Sequence, residues 1–144
     1  MTDYFSEDTY HEALQYLRKL LPETHSHPQV GLVLGSGLGL LQTSLQESIE
    51  VPYSQIPHFP TSSVPGHASK LVFGSISGRL VCCMVGRKHV YEGASVVKTV
   101  FPIRVLKMLG CSIIILTNAS GGLNPEFKVG DIAIINDHVS FAGK

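Results

Sequence analysis

Apolar residues recur at helical spacing near the start of the chain. Tyr10, Ala13, Leu14, Leu17 and Leu21 form one stripe, with Ser6 as N-cap and Pro22 as a stop. Glu23 to Pro28 is a polar linker. Val30 to Leu34 is then a short, β-branched apolar run, the pattern of a buried strand. Gly35-Ser36-Gly37-Leu38-Gly39 breaks it at once, and Leu38 to Ser48 is expected to leave that turn as a helix. Val51 to Pro65 carries prolines at 52, 57, 60 and 65 and is expected to be an irregular surface segment. Lys70 to Ser75 and Leu80 to Val85 read as a hairpin about Ser77-Gly78. After a polar loop, Val96 to Leu109 returns to helical spacing, with Gly110 as C-cap and Pro102 expected to kink it. Ser112 to Leu116 and Asp131 to Asn136 are the remaining predicted strands. Strands alternating with helices predict an α/β fold, a mixed β-sheet flanked by helices.

Composition narrows the function classes. The chain has 144 residues, 11 Lys+Arg against 11 Asp+Glu, and a formal net charge of zero. That balance excludes a broad nucleic-acid face or a polybasic membrane patch, but leaves room for a local anion pocket. With 44% hydrophobic and 15% charged residues the chain should fold rather than stay disordered. Its apolar runs are too short to span a bilayer, and its polar, acidic start is unlike a signal peptide, so a cytosolic location is expected. Cys82, Cys83 and Cys111 cannot all pair and form no C-x-x-C, which argues against a disulfide scaffold or a Cys-rich zinc site. The histidines have no spacing that suggests a metal site.

The candidate chemistry sits in three polar loops, each following an apolar strand, where α/β sheets gather ligands. Gly35 to Gly39 offers backbone N–H groups and the Ser36 hydroxyl to an anion. It lacks the Lys-Ser/Thr of a P-loop and the spacing of a dinucleotide fingerprint, and taken alone it reads first as a glycine turn joining strand to helix. Arg87 and His89 lie two apart, so in extended backbone they face the same way, with Tyr91 continuing that face and Lys88 opposite. The arginine fork suits phosphate oxygens; the bland alternative is a solvated basic turn. Asn118 to Gly122 offers an amide and the N–H of Ala119. If neighbouring strands align, Ser36, Arg87 and Ala119 should meet around one anion-sized pocket.

The ordered set of motifs resembles the trimeric purine nucleoside phosphorylases, over nearly the whole chain. The set is Gly35-Ser36-Gly37-Leu38-Gly39, Val64-Pro65-Gly66-His67, Gly86-Arg87-Lys88-His89-Val90-Tyr91-Glu92-Gly93, Thr117 to Asn124, Gly130-Asp131 and Asp137-His138. The Tyr91-Glu92-Gly93 continuation is similar to the inosine/guanosine branch rather than to methylthioadenosine phosphorylases. The resemblance implies that Ser36, His67, Arg87, His89 and the N–H of Ala119 bind phosphate. It implies that Tyr91 and Asn118 contact the nucleoside, and that His89 and Glu92 serve catalysis. It implies reversible phosphorolysis of nucleosides such as inosine and guanosine to base and ribose 1-phosphate, for purine salvage. Phosphate is then a substrate, with no metal or organic cofactor, no nucleic-acid or membrane partner, and a homotrimeric assembly. Val85, Lys88 and Ser120 depart from the common pattern. Members of the family are longer, and their purine-recognition residues lie beyond the position matching Lys144. Residues 1–144 are therefore expected to be one partial domain, the N-terminal half. The alternatives are a catalytically silent phosphate-binding module, a methylthioadenosine phosphorylase relative, and a generic nucleotide-binding domain.

Overall fold

The computed structural model describes residues 6–61 and 68–141. Its element order is α1 (Glu7–Leu20), β1 (Val30–Leu34), β2 (Gln46–Pro52), β3 (Lys70–Ile76), β4 (Arg79–Val85), α2 (Val96–Leu109) and β5 (Ile113–Leu116). The five strands form one sheet in the order β2-β3-β4-β1-β5. β2, β3 and β4 pair antiparallel, whereas β1 lies parallel to both β4 and β5. The sheet is mixed, as the alternation of elements predicts.

The hairpin turn follows from its two residues. Ser77 and Gly78 both have positive φ (50° and 73°), the conformation whose twist matches the flanking strands. α1 forms over the expected stripe and buries Tyr10, Ala13, Leu14 and Leu17. α2 buries Phe101, Val105, Leu106 and Leu109, with Ser95 Oγ accepting from the Lys98 N–H and Gly110 ending it at φ 122°. Both helices cover one face of the sheet, where Val33, Leu71, Phe73, Cys82 and Met84 complete the core. Tyr10 stacks on Phe101 at 4.7 Å, and Phe59 meets Phe101 edge-on at 5.9 Å. A Cβ at Gly31 would lie 2.6 Å from the Ile114 side chain, so glycine lets β1 and β5 pack closely beneath α2.

Three expectations are corrected. The segment after Gly39 makes only a 3-10 turn, Gly39–Ser44, and then pairs as β2 rather than continuing as a helix. Leu45, Val51 and the packing of Ile49 supply the reason: they join the sheet and its core, which outweighs local helix propensity. The proline-rich segment is not wholly a surface element, because Val51, Tyr53, Ile56 and Phe59 are buried. α2 is continuous from Val96 to Leu109, with Pro102 inside it and buried. Finally, residues 131–136 form no strand. A strand draws its backbone hydrogen bonds from a neighbour, and among the described residues none pairs with this stretch. Ile132 and Ile134 remain over nine-tenths exposed. Among the described residues, no helix is long and apolar enough to cross a membrane.

Candidate anion site at the strand ends

Because β4, β1 and β5 are parallel, Val85, Leu34 and Leu116 all end at the same edge of the sheet. The loops that follow leave side by side. The Gly35 N–H donates to Thr117 Oγ1 (3.0 Å), and Thr117 Oγ1 donates to the Val33 carbonyl (2.8 Å). Arg87 Nη1 donates to the Thr117 carbonyl (3.0 Å), tying the second loop to the third. The approach is tight: a Cβ at Gly35 would lie 2.4 Å from the Thr117 carbonyl oxygen and 2.7 Å from Asn118 Cα.

The Arg87 loop is held at both ends. At its start, Gly86 turns with φ 91° and its carbonyl accepts from the buried Tyr53 hydroxyl (2.8 Å). Burial, and then the neighbourhood of Cys82, pushes the Tyr53 hydroxyl well above the usual phenol range, so it stays protonated and donating. At its end, Glu92 Oε1 accepts the His89 N–H (2.8 Å), while Glu92 Oε2 pairs with Lys88 Nζ (2.9 Å). Gly93 closes the turn at φ 79°. The His89 ring stacks on Tyr91 with centroids 4.8 Å apart.

Two adjoining cavities open here. The first, about 300 Å³, is lined by Gly35, Ser36, Gly37, Gly86, Arg87 and His89, with Ala68, Leu34, Val85 and Gly39. The second, about 360 Å³, is bounded by Arg87, Lys88, His89, Thr117 and Asn118 over an apolar floor that includes Val33, Met84 and Ile103. Both fall at the small end of the range for small-molecule sites, roughly 300–1,000 Å³. Glycine backbone, a hydroxyl, a guanidinium and an imidazole around one small space can accept an anion.

The structure thus brings Ser36, Arg87 and His89 together, and places Asn118 across the shared Arg87–His89 wall. Ser36 lines the first cavity and Asn118 the second, with Arg87 and His89 common to both. Ala119 lines neither; it is exposed on the loop beyond Asn118. Tyr91 is 78% exposed and touches the site through its stack on His89. Glu92 lines neither cavity and instead holds the Arg87 loop from below. His67 lies outside the described residues. Sequence reasoning missed Tyr53, Lys88 and Thr117 as contributors. Only Thr117 carried a signal, as the first polar residue after an apolar strand. The cysteines are not candidate nucleophiles: burial pushes the Cys83 thiol up to about 11 and Cys82 well above its usual range.

Comparison with known proteins identifies the family. The family described as "Phosphorylase superfamily" matches residues 29–144. Purine nucleoside phosphorylase 1 of Geobacillus stearothermophilus is 48% identical over 132 residues, covering 92% of this chain and 47% of that protein. A crystal structure of a purine nucleoside phosphorylase with ribose 1-phosphate matches with TM-score 0.81 and 40% identity, over 91% of this chain and 47% of the other. The Schistosoma mansoni purine nucleoside phosphorylase in complex with inosine matches with TM-score 0.78 and 40% identity, over 88% and 43%. The chain spans about half the length of the curated relatives it matches. The family match covers residues 29–144, which include all three loops, and the chain belongs to the phosphorylase superfamily.

Proposed function

We propose that this chain carries the phosphate-binding part of a purine nucleoside phosphorylase, acting in reversible phosphorolysis of nucleosides such as inosine and guanosine. The observation that carries this reading is the meeting of Ser36, Arg87 and His89 around one small cavity at the parallel strand ends. Arg87 provides fixed positive charge, Ser36 and His89 provide further donors, and the glycines admit close approach of an anion. His67 and the N–H of Ala119 complete the proposed phosphate set. Tyr91 faces the ribose and Asn118 the nucleoside. Glu92 acts as a positioning residue through Lys88 and the His89 N–H, rather than as a group touching phosphate.

In the reaction, the bond from the sugar's anomeric carbon to the purine breaks, and its electron pair leaves with the base, which takes up a proton. The sugar develops oxocarbenium character. Bound phosphate stabilises that charge, and one of its oxygens then bonds to the anomeric carbon, giving ribose 1-phosphate. The protein's part is to hold phosphate and sugar in line. Phosphate itself is the nucleophile, so the proposal includes no metal or organic cofactor. With it go a single partial domain over residues 1–144, the N-terminal half, a cytosolic location and a homotrimer, and no nucleic-acid or membrane partner.

A second reading is that residues 1–144 by themselves bind phosphate without turnover. Calorimetric titration with inorganic phosphate and an inosine phosphorolysis assay separate the two. Arg87→Ala should weaken phosphate binding about 10- to 100-fold, the loss of a charged hydrogen-bond donor. Phosphate binding without turnover selects the module. Protection from unfolding by ATP with no effect of phosphate would sink both.

A further inference from the structure

Thr117 occupies the point where the three loops meet. Its hydroxyl accepts from the Gly35 N–H at 3.0 Å and donates to the Val33 carbonyl at 2.8 Å. Neither partner can exchange roles, since an amide N–H only donates and a carbonyl only accepts, so the hydroxyl proton has one orientation. The Thr117 N–H also donates to the Val33 carbonyl (3.1 Å), pinning β5 to β1. Its carbonyl accepts from Arg87 Nη1 (3.0 Å). One residue therefore reports the end of β1, the exit of β4 and its own strand to one another. Gly35 has no slack to slip, because the Thr117 and Asn118 backbone already lies where a Cβ would stand.

We propose that Thr117 is a positioning residue for the anion site: it sets the Gly35–Ser36 backbone and the Arg87 guanidinium in one mutual geometry. The inference rests on the phosphate reading above and deepens it. Arg87 retains further guanidinium donors for an anion while Nη1 is anchored. Without the anchor, the long arginine side chain would sample rotamers and meet phosphate at an entropic cost. Valine at this position would keep the shape and β-propensity but remove both hydroxyl bonds, leaving the part-buried Gly35 N–H without its partner. Serine would keep them.

The test uses the whole 144-residue chain, with ¹⁵N spectra and phosphate titration. Thr117→Val keeps the carbonyl that Arg87 donates to but removes the hydroxyl bonds, so it should move the Gly35 and Ser36 amide signals and weaken phosphate binding about tenfold. Thr117→Ser should leave both near wild type. Ser112→Ala, at the other end of β5, removes the Ser112 Oγ bond to the Gln29 carbonyl and should leave phosphate affinity unchanged. Unmoved Gly35 and Ser36 signals in Thr117→Val, or unchanged phosphate affinity, would overturn the inference. Should Thr117→Val fail to fold, hydrogen exchange in the unmodified chain decides: a Gly35 amide that exchanges without protection overturns it. Wild type that binds no phosphate sinks the functional reading instead, and with it the positioning role, while the Gly35 and Ser36 signals still report the coupling itself.

Discussion

At the β2 edge, the outer strand runs seven residues and is interrupted by a bulge between Gln46 and Ile49, with Glu47 at φ 51°. Glu50 pairs there with Lys70, and Pro52 ends the strand. At the β5 edge, four consecutive apolar residues stand with Ile113, Ile115 and Leu116 between 45% and 69% exposed. The stretch that follows carries further apolar side chains that stay outside the core, with Leu123, Val129 and Ile134 almost fully exposed. The first edge carries the devices that blunt strand pairing: a bulge, charge and proline. The second presents a bare apolar template. Hydrophobicity alone therefore does not place a residue inside; the packing partner does. The loop cluster lies between these extremes, since Gly35, Arg87 and Thr117 are ordered by hydrogen bonds across three strands rather than by apolar burial.

The comparison breaks hardest at Phe101, fully buried between Tyr10 and Phe59. Phe101→Ala should cost about 3–5 kcal/mol in urea unfolding, whereas Ile134→Ala, 93% exposed, should change stability by less than about 0.5 kcal/mol. Equal losses would mean that the exposed stretch packs in solution.

A smaller effect is expected between two glycines in matching loops. Gly35→Ala would drive a Cβ into backbone at 2.4 Å, and should cost roughly 1–3 kcal/mol in thermal unfolding. Gly121 has open space around it, so Gly121→Ala should be close to neutral. A tolerated Gly35→Ala would show that the first and third loops are not in contact.

The smallest and most gradual effect is with pH. Burial raises the thiols of Cys83 and Cys111 from 9.0 to about 11, so the folded state favours their protonated forms. Their contribution to stability is complete below the unfolded value and is lost as pH rises from about 9 through about 11. Melting temperature should fall across that window, and Cys83→Ala should flatten the fall. A slope unchanged in Cys83→Ala would place the pH sensitivity outside the buried sheet.

Much of the fold was legible in the residues. The stripe from Tyr10 to Leu17, the run from Val30 to Leu34, the Ser77-Gly78 turn and the limits of α2 all follow from short-range periodicity and turn chemistry. So did the placement of Ser36, Arg87 and His89 at strand ends, because a loop after a buried strand must emerge at an edge of the sheet. What misled was context. Leu38 to Ser48 has residues a helix accepts, but Leu45 and Val51 find more burial in the sheet. Asp131 to Asn136 has residues a strand accepts, but no neighbour among the described residues supplies its ladder.

The amino-acid sequence by itself determined most of the elements, the mixed α/β class and which side chains are candidates for the proposed anion site, because these depend on periods and residue chemistry within a few positions. Only the tertiary structure decided that Tyr53 anchors Gly86, that Arg87 leans on Thr117, and that one Thr117 hydroxyl joins the first loop to the third. Those bonds join residues 30 to 82 positions apart, and such pairings exist only once parallel strands have set the loops side by side.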